Sequence, residues 1–136
     1  MDGLRAEGAV ASSLVAIEDG QVVGHILFSE MTIDTEGGPV RAASLAPLAV
    51  RPDRQRQGIG SALVERGLQA CRCRGHTIVI VLGHPEYYPR FGFSAERARN
   101  LRGPFAGEAW MALELTPGAL EGISGTVRYA KAFGLE

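Results

Sequence analysis

The chain has 136 residues, 46% of them hydrophobic and 21% charged, with a formal net charge of −1. That is enough chain for one domain with its own core, and too apolar for a disordered segment. The balanced charge gives no general attraction to nucleic acid or to an anionic membrane, no apolar run reaches the length of a membrane span, and residues 1–11 lack the basic start and apolar stretch of a signal peptide, so a cytoplasmic location is expected.

Residues 1–11 are small-residue-rich and ambiguous. Residues 13–18 read as a strand and residues 21–31 as a second, joined by Asp19-Gly20, a strong two-residue hairpin signal. Residues 32–40 hold a run of Asp, Thr, Glu, Gly and Pro that predicts a loop. Residues 41–50 then form a third strand beside the hairpin, completing an antiparallel meander that Pro52 stops. Residues 61–74 predict a helix, with Gly60, Leu63, Val64, Gly67, Leu68 and Cys71 on one face. Residues 78–82 are an unbroken apolar run, the signature of a strand buried on both faces, so residues 48–82 make a strand–helix–strand crossover with parallel strands. Arg97, Arg99 and Arg102 lie among small residues in a loop with a short helical or strand piece. Residues 110–115 form a long strand closed by Pro117-Gly118, and Val127-Arg128-Tyr129 can add a short one. Cys71 and Cys73 sit two apart in the helix and point in different directions, so they read as reduced structural thiols. With no other cysteine to complete a zinc set, no metal is expected.

The stretch that carries chemistry joins the third strand to the helix: Leu48, Ala49, Val50, Arg51, Pro52, Asp53, Arg54, Gln55, Arg56, Gln57, Gly58, Ile59, Gly60, Ser61. Gly58 and Gly60 have no Cβ, so the backbone N–H groups of Gln57 to Gly60 can close on an anion where the helix dipole also favours negative charge. Arg51, Arg54 and Arg56 add cations to the same turn. A pyrophosphate cradle follows. A mononucleotide P-loop needs a Lys after the second glycine, and none is there. A dinucleotide fingerprint needs a third small residue where Leu63 stands, and an acidic residue where Ile78, Val79 and Ile80 stand. What remains, Gln55-x-x-Gly58-x-Gly60 after a strand ending Leu48-x-Val50, resembles the acetyl-coenzyme A motif of the GCN5-related N-acetyltransferase (GNAT) family. Tyr87-Tyr88-Pro89-Arg90-Phe91-Gly92-Phe93 follows the next strand and resembles that family's aromatic-Tyr-x-x-x-Gly-Phe segment, with the form of a small bacterial branch.

The resemblance covers roughly residues 14–115, within a chain that reads as a single domain, 1–136. It implies an α+β fold: a mixed, mostly antiparallel sheet with a splayed parallel strand pair and flanking helices. It also implies an acyl-coenzyme A-dependent N-acyltransferase that moves acetyl from acetyl-coenzyme A, as co-substrate, to a small-molecule or protein amine by direct attack in a ternary complex. Leu48, Ala49 and Val50 would pair with the pantetheine arm in the wedge between the splayed strands. Gln55, Arg56, Gln57, Gly58, Ile59, Gly60 and Ser61 would hold the phosphates, and Tyr88 would be the general acid that protonates the leaving thiolate. A general base is harder to place, since the strand before the turn carries no carboxylate; Glu86, His84, Glu30 and His25 are candidates, and a water relay would also serve. Acceptor identity is expected in loops such as residues 32–40 and 96–107.

The departure from the family lies at the start. Members usually have a strand and one or two helices before the hairpin, here shortened or missing. Either further residues precede these, or the exposed edge of the first strand is covered by a second subunit, a homodimer. The shortened wall and the missing carboxylate keep a second reading open, a non-catalytic coenzyme A-binding sensor or interaction domain. Acylation of a hydroxyl is a third.

Overall fold

A computed structural model describes residues 10–103, 107 and 109–129. Three long strands lead the chain: β1 (Val10–Glu18), β2 (Gln21–Thr35) and β3 (Gly38–Val50). Asp19 and Gly20 both take positive φ, 52° and 77°, which is the conformation that a tight hairpin turn demands and that this residue pair tolerates. The loop expected over residues 32–40 is instead nearly all strand. β2 and β3 stay paired from Gly24↔Val50 to Thr35↔Gly38, leaving only Glu36 and Gly37 as the turn. The far half of β2 gains a second partner that local sequence does not reveal, β7 (Gly125–Tyr129), which pairs with Met31 to Thr35.

β3 leads through a short 3-10 turn, Pro52–Arg54, into α1 (Ile59–Cys73), which starts two residues earlier than periodicity alone predicts. β4 (Ile78–Leu82) runs parallel to β3, as the crossover requires, and β6 (Trp110–Glu114) pairs antiparallel on its other side. The two-residue β5 (Leu101–Arg102) completes a sheet in the order β5-β7-β2-β3-β4-β6, with β1 also on β2. Among the described residues β1 pairs only with β2, so its outer edge is open, with Val15 51% and Ile17 64% exposed. Residues 1–9, where the shortened start was expected, lie outside the described residues. No described helix is long and apolar enough to cross a membrane.

α1 packs the face predicted for it. Leu63, Val64, Gly67, Leu68 and Cys71 are buried against Ile26 and Phe28 of β2, Leu45 of β3 and Val79 and Val81 of β4. Full burial of one such aliphatic side chain stabilises the fold by about 1.5–3 kcal/mol, so this layer sets where the helix start can lie. The contact is close because of Gly67: a Cβ there would collide with the ring of Phe28. The opposite face of the sheet carries a second core around Ile33, Ile78, Ile80, Trp110 and Val127.

The splay of β3 from β4 has a local cause. Their parallel pairing ends at Leu45↔Val81. At the next step the β2–β3 register slips, from Phe28↔Leu45 to Ile26↔Leu48, so β3 carries one extra residue there. Pro47 sits in this bulge and has no N–H to give a neighbouring strand. Beyond it, among the described residues, β3 continues to Val50 with only β2 as partner, and its other edge opens as one wall of a wedge.

Candidate active site

The wedge opens into a cleft of about 840 Å³ lined by Leu48 and Val50 of β3, by Gln55, Arg56, Gly58, Gly60 and Ser61 of the turn and helix start, and by His84, Tyr87, Tyr88 and Arg90. That is within the ordinary size range of a small-molecule site. Seven of the ten residues expected to hold a cofactor line it. Ala49, Gln57 and Ile59 do not. Strand alternation turns Ala49 to the other face from Leu48 and Val50, Gln57 is exposed, and Ile59 packs into the core under α1.

The helix start is built to receive an anion. Gly58 is the N-cap with φ 85° and no side chain among the described residues caps the first turn, so the amides of Ile59, Gly60 and Ser61 have no partner within the helix. A Cβ at Gly58 would meet nothing within 4 Å, which places this residue at open space in front of those amides. Gln55 Nε2 donates to the Val50 carbonyl at 3.0 Å and folds the turn back on the strand end.

The three arginines of the turn do not act together, contrary to the reading from sequence. Arg51 is spent on Asp53, at 3.1 and 2.8 Å, and on the Gln21 side chain at 3.0 Å. Arg54 pairs with Glu18 at 2.6 Å and also reaches Asp53. The hydrogen bonds from Arg51 outweigh desolvation and hold the Asp53 carboxyl below its usual range. These two cations pin the turn to the β1–β2 hairpin. Arg56, at φ 65°, lines the cleft with no ion-pair partner among the described residues.

The tyrosine segment closes the other wall. A 3-10 turn, Tyr88–Phe91, follows β4. Tyr88 is 7% exposed, packed edge-on to Tyr87 and Phe93, and burial, with a smaller contribution from Tyr87, raises its hydroxyl above the ordinary tyrosine value. Tyr87 reaches across to the helix start, its Oη 3.0 Å from Ser61 Oγ, while the Arg90 guanidinium stacks 4.5 Å above its ring. Sequence reading passed over Tyr87 and Arg90; their signal was their spacing from Tyr88, one before and two after in a tight turn.

Of the four candidate bases only His84 lines the cleft. Glu30 is tied to Arg41 at 3.0 and 3.1 Å and to the buried His76 at 2.9 Å, and His25 Nε2 lies 3.3 Å from Ser13 Oγ on β1. Glu86 is exposed and does not line the cleft. The 32–40 segment turns at the far end of the β2–β3 hairpin from Val50, so it does not wall the cleft. The segment from Glu96 to Asn100 instead walls a separate cleft of about 830 Å³ beside the Arg97–Glu114 ion pair. Cys71 is buried and its thiol is pushed up to about 12, chiefly by burial, which makes it an inert core thiol as expected.

A strand that leaves its neighbour at a proline bulge, an uncapped glycine-led helix start and a buried tyrosine facing both form one arrangement, in a chain that is similar to known proteins. Residues 5–95 match the model of the acetyltransferase (GNAT) domain. The chain belongs to the GNAT acetyltransferase family. It is 36% identical to the uncharacterised N-acetyltransferase YhbS of Escherichia coli K12 in an alignment 133 residues long that covers 96% of this chain and 78% of YhbS. The crystal structure of Escherichia coli YhbS in complex with CoA matches with a TM-score of 0.86 at 35% identity, covering 98% of this chain and 74% of that one. A GNAT family acetyltransferase from Brucella melitensis in complex with acetyl-CoA matches with a TM-score of 0.77 at 39% identity, covering 97% of this chain and 74% of that one. The fold is thus the GNAT fold, with its mixed sheet and one main helix, and the chain is an N-acetyltransferase by family.

Proposed function

We propose that this GNAT protein transfers an acetyl group from acetyl-coenzyme A to an amine by direct attack within one complex, with Tyr88 as proton donor. The observation that carries the reading is the single cleft in which the open edge of β3, the uncapped start of α1 and Tyr88 meet. Its residues fit the co-substrate. The free amides of the first helical turn and Arg56 suit a pyrophosphate, and the unpaired edge from Leu48 to Val50 offers main-chain groups to an extended amide-bearing arm.

Acetyl-coenzyme A, when bound, supplies an activated thioester: a C–N bond forms at its carbonyl carbon as the C–S bond breaks. The chain's residues handle protons and position. Tyr88, like any tyrosine, is protonated at neutral pH, and burial disfavours its anion further, so it holds a proton to give to the departing sulfur. His84 lines the same cleft and, in this reading, takes the proton the amine loses, either directly or through water. Holding both reactants in one cleft supplies much of the acceleration.

Calorimetric titration with acetyl-coenzyme A, beside Gly58→Glu, is the deciding test, followed by an assay of thiol release over a panel of amines. Micromolar binding lost in Gly58→Glu, with amine-dependent thiol release lowered about 100-fold in Tyr88→Phe, supports the proposal. Binding with no thiol release from any amine favours the sensor reading. No binding at all overturns both.

A further inference from the structure

Two hydroxyls share one hydrogen bond at the start of α1, Ser61 Oγ and Tyr87 Oη at 3.0 Å. They carry two hydrogens, and their mutual bond uses one. The other is free to point at an acceptor in the cleft that both residues line. The Tyr87 hydroxyl lies close over Gly60 as well, 3.4 Å from where a Cβ of that residue would stand.

At its other end Tyr87 is built into the segment that carries Tyr88. Its N–H donates to the His84 carbonyl at 3.1 Å and its carbonyl accepts from Arg90 Nε at 2.9 Å, while the Arg90 guanidinium caps its ring. Its ring stands edge-on to those of Tyr88, at 5.1 Å, and Phe91, at 5.3 Å. Tyr88 therefore lies between a fixed wall, the Gly83 backbone and the Phe93 ring, and the Tyr87 ring.

We propose that Tyr87 is a positioning residue that couples filling of the phosphate cradle to placement of the Tyr88 hydroxyl. The proposal rests on the reading of Tyr88 as proton donor. An anionic oxygen at the helix start accepts the spare hydrogen of the Ser61–Tyr87 pair, fixes the direction of that bond and strengthens it. Tyr87 is drawn toward α1, and its ring carries the position of Tyr88 with it. Occupancy of the cradle thereby orders the acid some distance from the phosphates. Removing either hydroxyl breaks this link while leaving the amides of the cradle and the Tyr88 hydroxyl in place.

The test uses the whole chain labelled at tyrosine ¹³Cζ, in which the three tyrosines give three signals and Tyr88→Phe identifies that of Tyr88. Coenzyme A is titrated into the wild type, Tyr87→Phe and Ser61→Ala, with its affinity for each measured by calorimetry. The expected result is a Tyr88 signal that moves on saturation in the wild type and moves less than about half as far in both variants, while affinity changes by less than about fivefold, the worth of one hydrogen bond. Thiol release in the two variants should fall by about fivefold in turnover, and the double variant should lose no more than either single one. A Tyr88 signal that moves equally in all three proteins at saturation, or losses that simply multiply in the double variant, overturns the coupling while leaving the acetyltransferase reading intact. Absence of binding heat in the wild type refutes that reading, and the coupling with it.

Discussion

The ring of Tyr88 lies directly against the backbone of Gly83, the first residue after β4, with no room for even a methyl group between them. Gly83 is therefore a seat for the aromatic ring. Gly83→Ala should push the ring off that seat and lower turnover by on the order of 10- to 100-fold, since displacements near an ångström cost that much in an aligned reaction. Affinity for coenzyme A should change little, because Gly83 does not line the cleft. Turnover and calorimetric affinity measured side by side check this; equal losses in both would mean that the cleft as a whole had collapsed.

The pH dependence of turnover tests Tyr88 in a different way. An acid works only while protonated, so activity should fall as pH rises through its folded-state pKa. Burial, then the neighbouring Tyr87, places that value above the ordinary 10. The alkaline limb assigned to the enzyme should thus lie above the usual tyrosine range, and it should vanish in Tyr88→Phe. A limb that persists in the variant would assign it to another group.

Arg54 and Arg56 stand two residues apart and should behave oppositely. Arg56→Ala removes a cation that lines the cleft with no ion-pair partner among the described residues, and should weaken coenzyme A binding by about five- to tenfold, with a shallower salt dependence. Arg54→Ala breaks the bond to Glu18 and should lower unfolding free energy by about 0.5–1 kcal/mol with little effect on affinity. Denaturation and titration of both variants distinguish the two roles.

A cluster away from the cleft contributes to acid stability. Burial alone would raise the Glu30 carboxyl, but hydrogen bonds from Arg41 and His76 outweigh it and hold the group below its ordinary 4.5. A carboxyl depressed in the folded state contributes stability that is complete above the unfolded value and is lost as pH falls through the folded one. Urea unfolding followed from about pH 6 to about pH 3 should therefore show a loss that is shallower in Glu30→Gln than in the wild type. Parallel profiles would remove Glu30 from the acid response.

Much of this was legible in the chain because it is written locally. The Asp19-Gly20 turn, the apolar face of α1, the buried run of β4 and the glycines at the helix start each depend on residues a few positions apart, and the structure holds all of them where their spacing put them. Pro47 was also visible and its meaning was missed. A proline inside an otherwise regular strand marks a bulge, and here the bulge ends the pairing with β4 and opens the wedge.

What tertiary structure alone decided are the choices between residues that look alike in sequence. Arg51, Arg54 and Arg56 are equivalent cations until Glu18, from a strand 36 residues earlier, claims one of them. Tyr87 and Tyr88 are adjacent tyrosines until one is buried against Gly83 and the other meets Ser61, 26 residues away. The 32–40 segment reads as loop until β7 arrives from the far end of the chain to pair with it. Local sequence sets backbone preference through sterics and periodicity, whereas partners distant along the chain are set by how the packed sheet brings its edges together, and no window of neighbouring residues contains that information.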